Sequence, residues 1–342
     1  MDTPARTGYR WPAEWEPHAA TWLAWPHNPN TWPGTFDRIP PIFARLVRRF
    51  AQFEPVRLLA AEGPIAHAAR RLVGPISGVE WYDIPTNDAW CRDHGPMFLK
   101  GDPGHAVPAA LVDWGYNAWG GKYPPFDDDD RVPSRIAERL GTRVFRPEMV
   151  LEGGAVDGNG NGTVLTTRSC LLHPGRNPAM TESEIEERLR AFACARHVVW
   201  LSGGDFAGDD TDGHVDQLAR FVGERTIVVA SCGKDDENHA TLARLAAELR
   251  AARDANGRVF DIVPLPIPQP RFHDGRRLPA GYCNFAIVNG GVLVPEFDDR
   301  ADARAAGILA DLFPDRRVIG FPCLDLVWGL GALHCLSQQQ PA

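Results

Sequence analysis

The sequence contains no C-x-x-C pair, no G-x-S-x-G elbow and no block of Lys and Arg. It also lacks any apolar run of the ~18 residues a membrane-crossing helix needs. Each absence removes a class. Seven cysteines (91, 170, 194, 232, 283, 323 and 335) are odd in number and scattered, which argues against a disulfide framework or a zinc ribbon. They read as the reduced thiols of a cytoplasmic protein. Without the elbow, a Ser-His-Asp hydrolase fits badly. A net charge of −8 with no basic patch makes nucleic acid and anionic membranes poor partners, and leaves room for a small cationic substrate. The opening Met1-Asp2-Thr3-Pro4-Ala5-Arg6 has no apolar core of a signal peptide, so neither export by that route nor membrane insertion is expected. No low-complexity linker or composition break divides the chain, which predicts one catalytic domain over residues 1–342.

What is present is punctuation and indole. Gly 33, Pro 30 and Trp 11 imply many tight turns and long loops around a pocket. Residues 1–35, with Trp11, Trp15, Trp22, Trp25 and Trp32, are too rich in Trp and Pro for a helix and read as an ordered arm packed on the body. Beyond them, short β-runs alternate with amphipathic helices. Apolar residues at 42, 43, 46, 47 and 50 predict a helix over 40–53, followed by a strand at 56–60 and a helix at 64–73. Further strands are expected at 97–99, 110–114, 162–167, 197–201, 226–231, 259–265 and 317–321. Thr181-Glu182-Ser183-Glu184 is a capping box opening a helix, and Asn289-Gly290-Gly291 signals a hairpin. The rhythm is strand-strand-helix-strand without a fixed-period sequence repeat, so any repetition is structural.

Four islands place titratable residues where Gly-rich turns interrupt apolar strands. They are Asn87 to Pro96, Leu151-Glu152-Gly153-Gly154, Gly208 to Asp216, and the segment around His334-Cys335. A free cysteine is ordinarily apolar filler. Here it follows Gly329-Leu330-Gly331-Ala332, and the upstream islands supply a partner for it. In His214-Val215-Asp216, residues two apart on a strand would face one side. A metal site competes for these residues, but no second His stands at metal spacing from His214, and a thiol among acids suits zinc or iron poorly. A Cys-His enzyme remains, with Cys335 as nucleophile and His214 as acid and base. Two carboxylates converging beside that thiol suit a planar cation that forms paired hydrogen bonds, which is guanidinium.

Residues 11–18 (Trp-Pro-Ala-Glu-Trp-Glu-Pro-His), Asp88 to Pro96, Asn117 to Lys122, Glu152-Gly153-Gly154, Gly208 to Asp216, Asn284-Phe285 and His334-Cys335 with Gln338-Gln339 resemble the agmatine deiminase family. That family belongs to the guanidine-modifying (pentein) superfamily and is related to bacterial peptidylarginine deiminases. The resemblance runs from about residue 9 onward, in the same order throughout. It implies a five-bladed, pseudo-symmetric α/β propeller of ββαβ modules around a central site, and suggests a homodimer. It implies hydrolysis of agmatine to N-carbamoylputrescine and ammonia, a step toward putrescine, through a Cys-bound amidino intermediate. No cofactor or metal is implied. Carried over by position, Cys335 is the nucleophile, His214 the acid/base, Glu152 its orienting partner, and Asp93 and Asp216 the grip on the guanidinium. One departure stands out. The family typically has Gly-Gly-Gly-Asn-Ile before the His-Cys pair, and this chain has Gly329-Leu330-Gly331-Ala332-Leu333, which changes a wall of the pocket.

Several residues have ordinary readings beside these roles. Asp93 could pair with Arg92, Glu152 could cap its Gly-Gly turn, and His214 could be a satisfied core histidine. Asp127 to Asp130 read as an acidic helix start. Asp88 is a substrate-binding candidate. Asp210 or Asp212 could neutralise a distal ammonium, with at least one of Asp209, Asp210 and Asp212 left in a solvated turn. Trp90 and Trp119 could sandwich an alkyl chain or cation, or simply pack in the core. An acidic guanidine such as arginine, a C-terminal peptidyl-arginine or a guanidino acid would need a cation, for which Lys122 and Arg220 are candidates. Amidino transfer to an amine, and a guanidinium sensor without catalysis, compete with hydrolysis.

Overall fold

The computed structural model describes residues 2–342. Its strands fall into five sheets of one pattern, plus a two-stranded hairpin at Phe272–His273 and Arg276–Arg277. In each sheet an antiparallel pair is followed by a helix that returns the chain to a parallel third strand. The first module comprises Met97–Gly101, Ala109–Val112, the helix Val132–Leu140 and Arg143–Phe145. The second has Val156–Gly158, Thr163–Thr167, the helix Glu182–Phe192 and His197–Leu201. The third has Ala219–Phe221, Thr226–Ser231, the helix His239–Ala251 and Asp261–Pro266. The fourth has Ala286–Val288, Gly291–Glu296, the helix Ala301–Leu312 and Arg317–Pro322.

The fifth module is assembled from distant parts of the chain. Ser337–Pro341 pairs antiparallel with His18–Ala24, which pairs in parallel with Val56–Leu59 across the helix Ile39–Phe50. Val79–Tyr82 extends this sheet beyond the helix Pro64–Val73. Residues 18–24 are therefore a central strand, which corrects the reading of residues 1–35 as an arm laid on the body. Flanking prolines and tryptophans mask it, and its burial on both faces (Trp22 and Leu23 are fully buried) erases the alternation that marks a half-exposed strand.

Local chemistry accounts for the helices. Pro40 and Pro41 open Ile39–Phe50, where a missing N–H costs nothing, and Ile39, Phe43, Leu46, Val47 and Phe50 face the core. The capping box at Thr181 and Glu184 closes in both directions, as its spacing requires. The acidic run forms its own short turn, Asp127–Asp130, ahead of Val132–Leu140. There Asp129 accepts the Asn87 N–H at 2.7 Å, so the run pins the loop before the first module.

The first strand of every module is preceded by one helical turn: Cys91–His94, Gly153–Ala155, Val215–Leu218, Tyr282–Asn284 and Leu333–Leu336. Each turn touches the next and the last touches the first, which closes a ring. His214 is the residue before one of these turns and Asp216 lies within it, so the expectation that both sit on a strand is wrong. The five turns define the centre of the molecule.

Candidate active site

Four of the turns bring titratable side chains to the centre, and a glycine marks where they meet. A Cβ at Gly154 would lie 2.7 Å from His214 Nδ1, 2.8 Å from Asp93 Oδ1 and 3.0 Å from Asp216 Oδ2. Only a residue without a side chain can sit there. The Gly154 N–H donates to Asp93 Oδ1 at 3.0 Å, and the Trp119 indole N–H donates to Asp93 Oδ2 at 3.0 Å. Asp93 is thus oriented by an indole and a backbone amide, while Arg92 turns to the His334 carbonyl and Gln339 instead.

Cys335 is 4% exposed, and its sulfur lies 3.6 Å from Asp216 Oδ2 and 3.1 Å from Asn284 Nδ2. Burial, then the charges of Asp216 and Asp93, push the thiol well above its ordinary range, against the Asn284 hydrogen bond. Burial also works against the charged form of His214. Asp93, Cys170 and Glu152 outweigh it and lift the imidazole to about 10, so the ring is held as a cation. His214 Nδ1 is 3.7 Å from Asp93 Oδ1 and its Nε2 is 3.9 Å from Glu152 Oε2. Both ring nitrogens are buried without a hydrogen-bond partner. For Asp216, burial raises the pKa, but His334 at 2.7 Å, then His214 and Arg220, win and hold it below the ordinary carboxylate range. Asp93 is raised, chiefly by burial.

A cavity of about 920 Å³ leads to this centre and is lined by Asp93, Cys335, Trp90, Trp119, Asp88 and Asp210 among others. His214, Glu152 and Asp216 lie beneath it. Asp210 accepts the Tyr123 hydroxyl at 2.5 Å. Asp88 is half-buried and accepts hydrogen bonds from the Thr31 hydroxyl and the Ala89 N–H, and its carboxyl is pushed up to about 7, mainly by desolvation. Asp212 does not line the cavity. It binds Arg176 at 2.7 Å and Lys122 at 2.8 Å, which explains why it is not free for a ligand. Asp209 caps its own turn through Thr211 and Gly213. Of the two cations considered for an acidic substrate, Lys122 is held by Asp212 and Arg220 is buried elsewhere on Asp157 and Glu14. Arg276 is the additional cation at the cavity wall.

Three further residues support the site, and the sequence had assigned none of them a role. Arg176 donates its Nε–H to both oxygens of Glu152, at 2.9 and 3.0 Å, and its Nη2–H to the Thr211 carbonyl. Asn284 Oδ1 accepts the N–H groups of Ala332, His334 and Cys335, shaping the turn that carries the thiol. His334 bridges Asp216 and Glu14. Asn284 had a usable signal, since a polar residue just before a strand repeats the pattern of the other islands. Arg176 had none, because nothing local marks which carboxylate an arginine reaches. Glu152, Cys170 and His214 bring an oxygen, a sulfur and a nitrogen within 4.8 Å of one another, a donor set a metal could use, although Arg176 already places a cation on Glu152.

A family model for Porphyromonas-type peptidyl-arginine deiminase matches residues 10–341. The chain is 39% identical over 365 residues to the agmatine deiminase of Pseudomonas aeruginosa (strain LESB58), covering 99% of this chain and 97% of that one. It is 38% identical to the agmatine deiminase of Pseudomonas putida (strain KT2440), with the same coverage of both chains. The solved agmatine deiminase of Enterococcus faecalis superposes with a TM-score of 0.92 at 32% identity, covering 100% of this chain and 98% of that one. Likeness of this extent takes in all five modules and all five central turns. The chain belongs to the Porphyromonas-type peptidyl-arginine deiminase family.

Proposed function

We propose that the protein hydrolyses agmatine to N-carbamoylputrescine and ammonia. The observation that carries this reading is the meeting of Asp93, His214 and Asp216 around Gly154, with the Cys335 sulfur beside Asp216 at the foot of the cavity. Two carboxylates and a thiol there match a guanidinium and its central carbon, and the full-length Pseudomonas relatives are named agmatine deiminases.

In this mechanism Asp93 and Asp216 hold the guanidinium nitrogens by charge-assisted hydrogen bonds. The arriving cation offsets the two negative charges that, together with burial, keep the Cys335 thiol protonated, so in the complex the thiol loses its proton to solvent and the thiolate forms. It attacks the guanidinium carbon, and the His214 imidazolium gives its proton to the departing nitrogen, which leaves as ammonia. The product of this half is an amidino group bound through sulfur. His214, now neutral, takes a proton from water as that water attacks the same carbon. Collapse expels the sulfur, which takes up the proton of the added hydroxyl and returns to the thiol, leaving the ureido product and the His214 imidazolium. Glu152, held by Arg176, supports the charged ring of His214. Asp210 faces the cavity beside Tyr123 and takes the distal ammonium, while Trp90 and Trp119 flank the methylene tail.

On this reading the enzyme works in the cytoplasm as a homodimer; light scattering after gel filtration tests the second point. Among the described residues no helix is long and apolar enough to cross a membrane. Ammonia release from agmatine, arginine and a peptide ending in arginine, by wild type and Cys335→Ala, tests the function. Turnover of agmatine by the wild type alone supports it, and no release from agmatine sinks it.

A further inference from the structure

Eight non-glycine residues among those described have positive φ, and four of them, Ala118, Trp119, Asp274 and Leu330, line the cavity. Ala118 and Trp119 belong to the turn that Asn117 caps and that brings the Trp119 indole to Asp93, and Asp274 occupies a tight hairpin turn. Leu330, at φ +72 and ψ 14, has no such account. Its N–H reaches the Val327 carbonyl at 2.9 Å, a bond that a glycine would make equally well and without a Cβ penalty. Its neighbours cannot share its work. A Cβ at Gly329 would meet Trp32 at 2.6 Å, and one at Gly331 would meet Trp90 at 2.4 Å and the Cβ of Cys335 at 3.0 Å. The isobutyl group is thus the only side chain this segment presents to the cavity between Trp328 and the turn bearing the nucleophile. Trp328 extends the same wall by stacking on His273, with ring centroids 4.0 Å apart at 19°.

Backbone strain kept at a ligand cavity is retained for what the side chain does there. We propose that Leu330 determines which guanidines reach Cys335, admitting those carried on slim, unbranched tails and excluding arginine carried on a peptide backbone. The proposal rests on the deiminase reading above and names the substrate class of that same site. Leu330 lines the same cavity as Trp90 and Cys335, and the adjoining Gly331 lies directly against both, so the isobutyl group takes up room on the wall that a substrate tail must pass. A branched Cα bearing an amide and a carboxylate is wider at the depth the tail must occupy.

The test uses Leu330→Gly and Leu330→Asn, since both replacements tolerate a left-handed backbone. Affinities for agmatine and for hippuryl-arginine are measured by calorimetry in the Cys335→Ala protein, with and without each change at 330. Removing the wall should tighten hippuryl-arginine relative to agmatine by about 10-fold or more, the scale on which apolar pocket volume discriminates. An unchanged ratio in both variants, each melting as the parent does, overturns the proposal. So does tight binding of hippuryl-arginine to the protein with Leu330 intact. Ammonia release by the wild type is run alongside. If it fails while the affinity ratio shifts, the chemistry is wrong and the wall stands; if it succeeds while the ratio is fixed, the reverse holds.

Discussion

Gly154 is the most demanding single position. Any side chain there drives into His214, Asp93 and Asp216 together, all fully buried or nearly so. Gly154→Ala should therefore retain its far-UV circular dichroism and lose about 100-fold or more in kcat, since displacements near 1 Å at reacting groups cost that much. Wild-type kcat in that variant would show the three groups do not need their present spacing. At Cys335, burial and the two nearby acids keep the thiol protonated near neutral pH in the free protein. The thiolate absorbance that Cys335→Ala removes should be missing below about pH 9, and should emerge at lower pH when a guanidine binds. The same absorbance with and without ligand would remove the role given to the substrate's charge. That these residues would meet was legible from sequence because polar groups interrupted apolar strands beside glycines. What spacing could not give was orientation. His214 and Asp216 share a site through a helical turn rather than through strand alternation, and Asp212, two residues from His214, is turned away onto Arg176 and Lys122.

Among elements, the loop of residues 208–214 is the one most dependent on a distant clasp. Arg176 ties Asp212 and the Thr211 carbonyl to Glu152 on the neighbouring module, with its side chain fully buried. Arg176→Met would strand the Glu152 carboxylate without its cation, at a cost of about 3–5 kcal/mol. A large fall in melting temperature and in activity is expected, partly restored by Lys; an unaltered melt would mean that Glu152 finds another partner. By contrast, Thr181→Ala removes only a helix cap far from the cavity and should cost about 1 kcal/mol with kcat unchanged. The helices and parallel strands were readable because each carries its own period and start signal, as in Ile39–Phe50 and Glu182–Phe192. The strand His18–Ala24 was hidden because its neighbours in space come from residues 56–59 and 337–341, and its composition reports burial rather than alternation.

For the molecule as a whole, the buried charges at the centre set how stability follows pH. His214 is raised to about 10 in the folded protein from about 6.5 in an unfolded chain, so its contribution is complete below about pH 6.5 and is lost as pH climbs toward 10. Asp216 and Glu14 are held below their ordinary values, so theirs is present above about pH 4 and is lost on acidification. Urea midpoints should fall on both sides of neutrality, and His214→Asn should flatten the alkaline fall; an unchanged alkaline limb would contradict the raised imidazole. The sheet that unites residues 18–24 with 337–341 carries a further consequence. A ribosome makes the strand His18–Ala24 long before its antiparallel partner, so the nascent chain must hold one exposed edge open while four other modules form. The thiol at 335 lies only two residues ahead of the partner strand. Translation that stalls short of it, or a protease that clips it, leaves that sheet unsealed beside the central turns, so the ring is completed in a single late step.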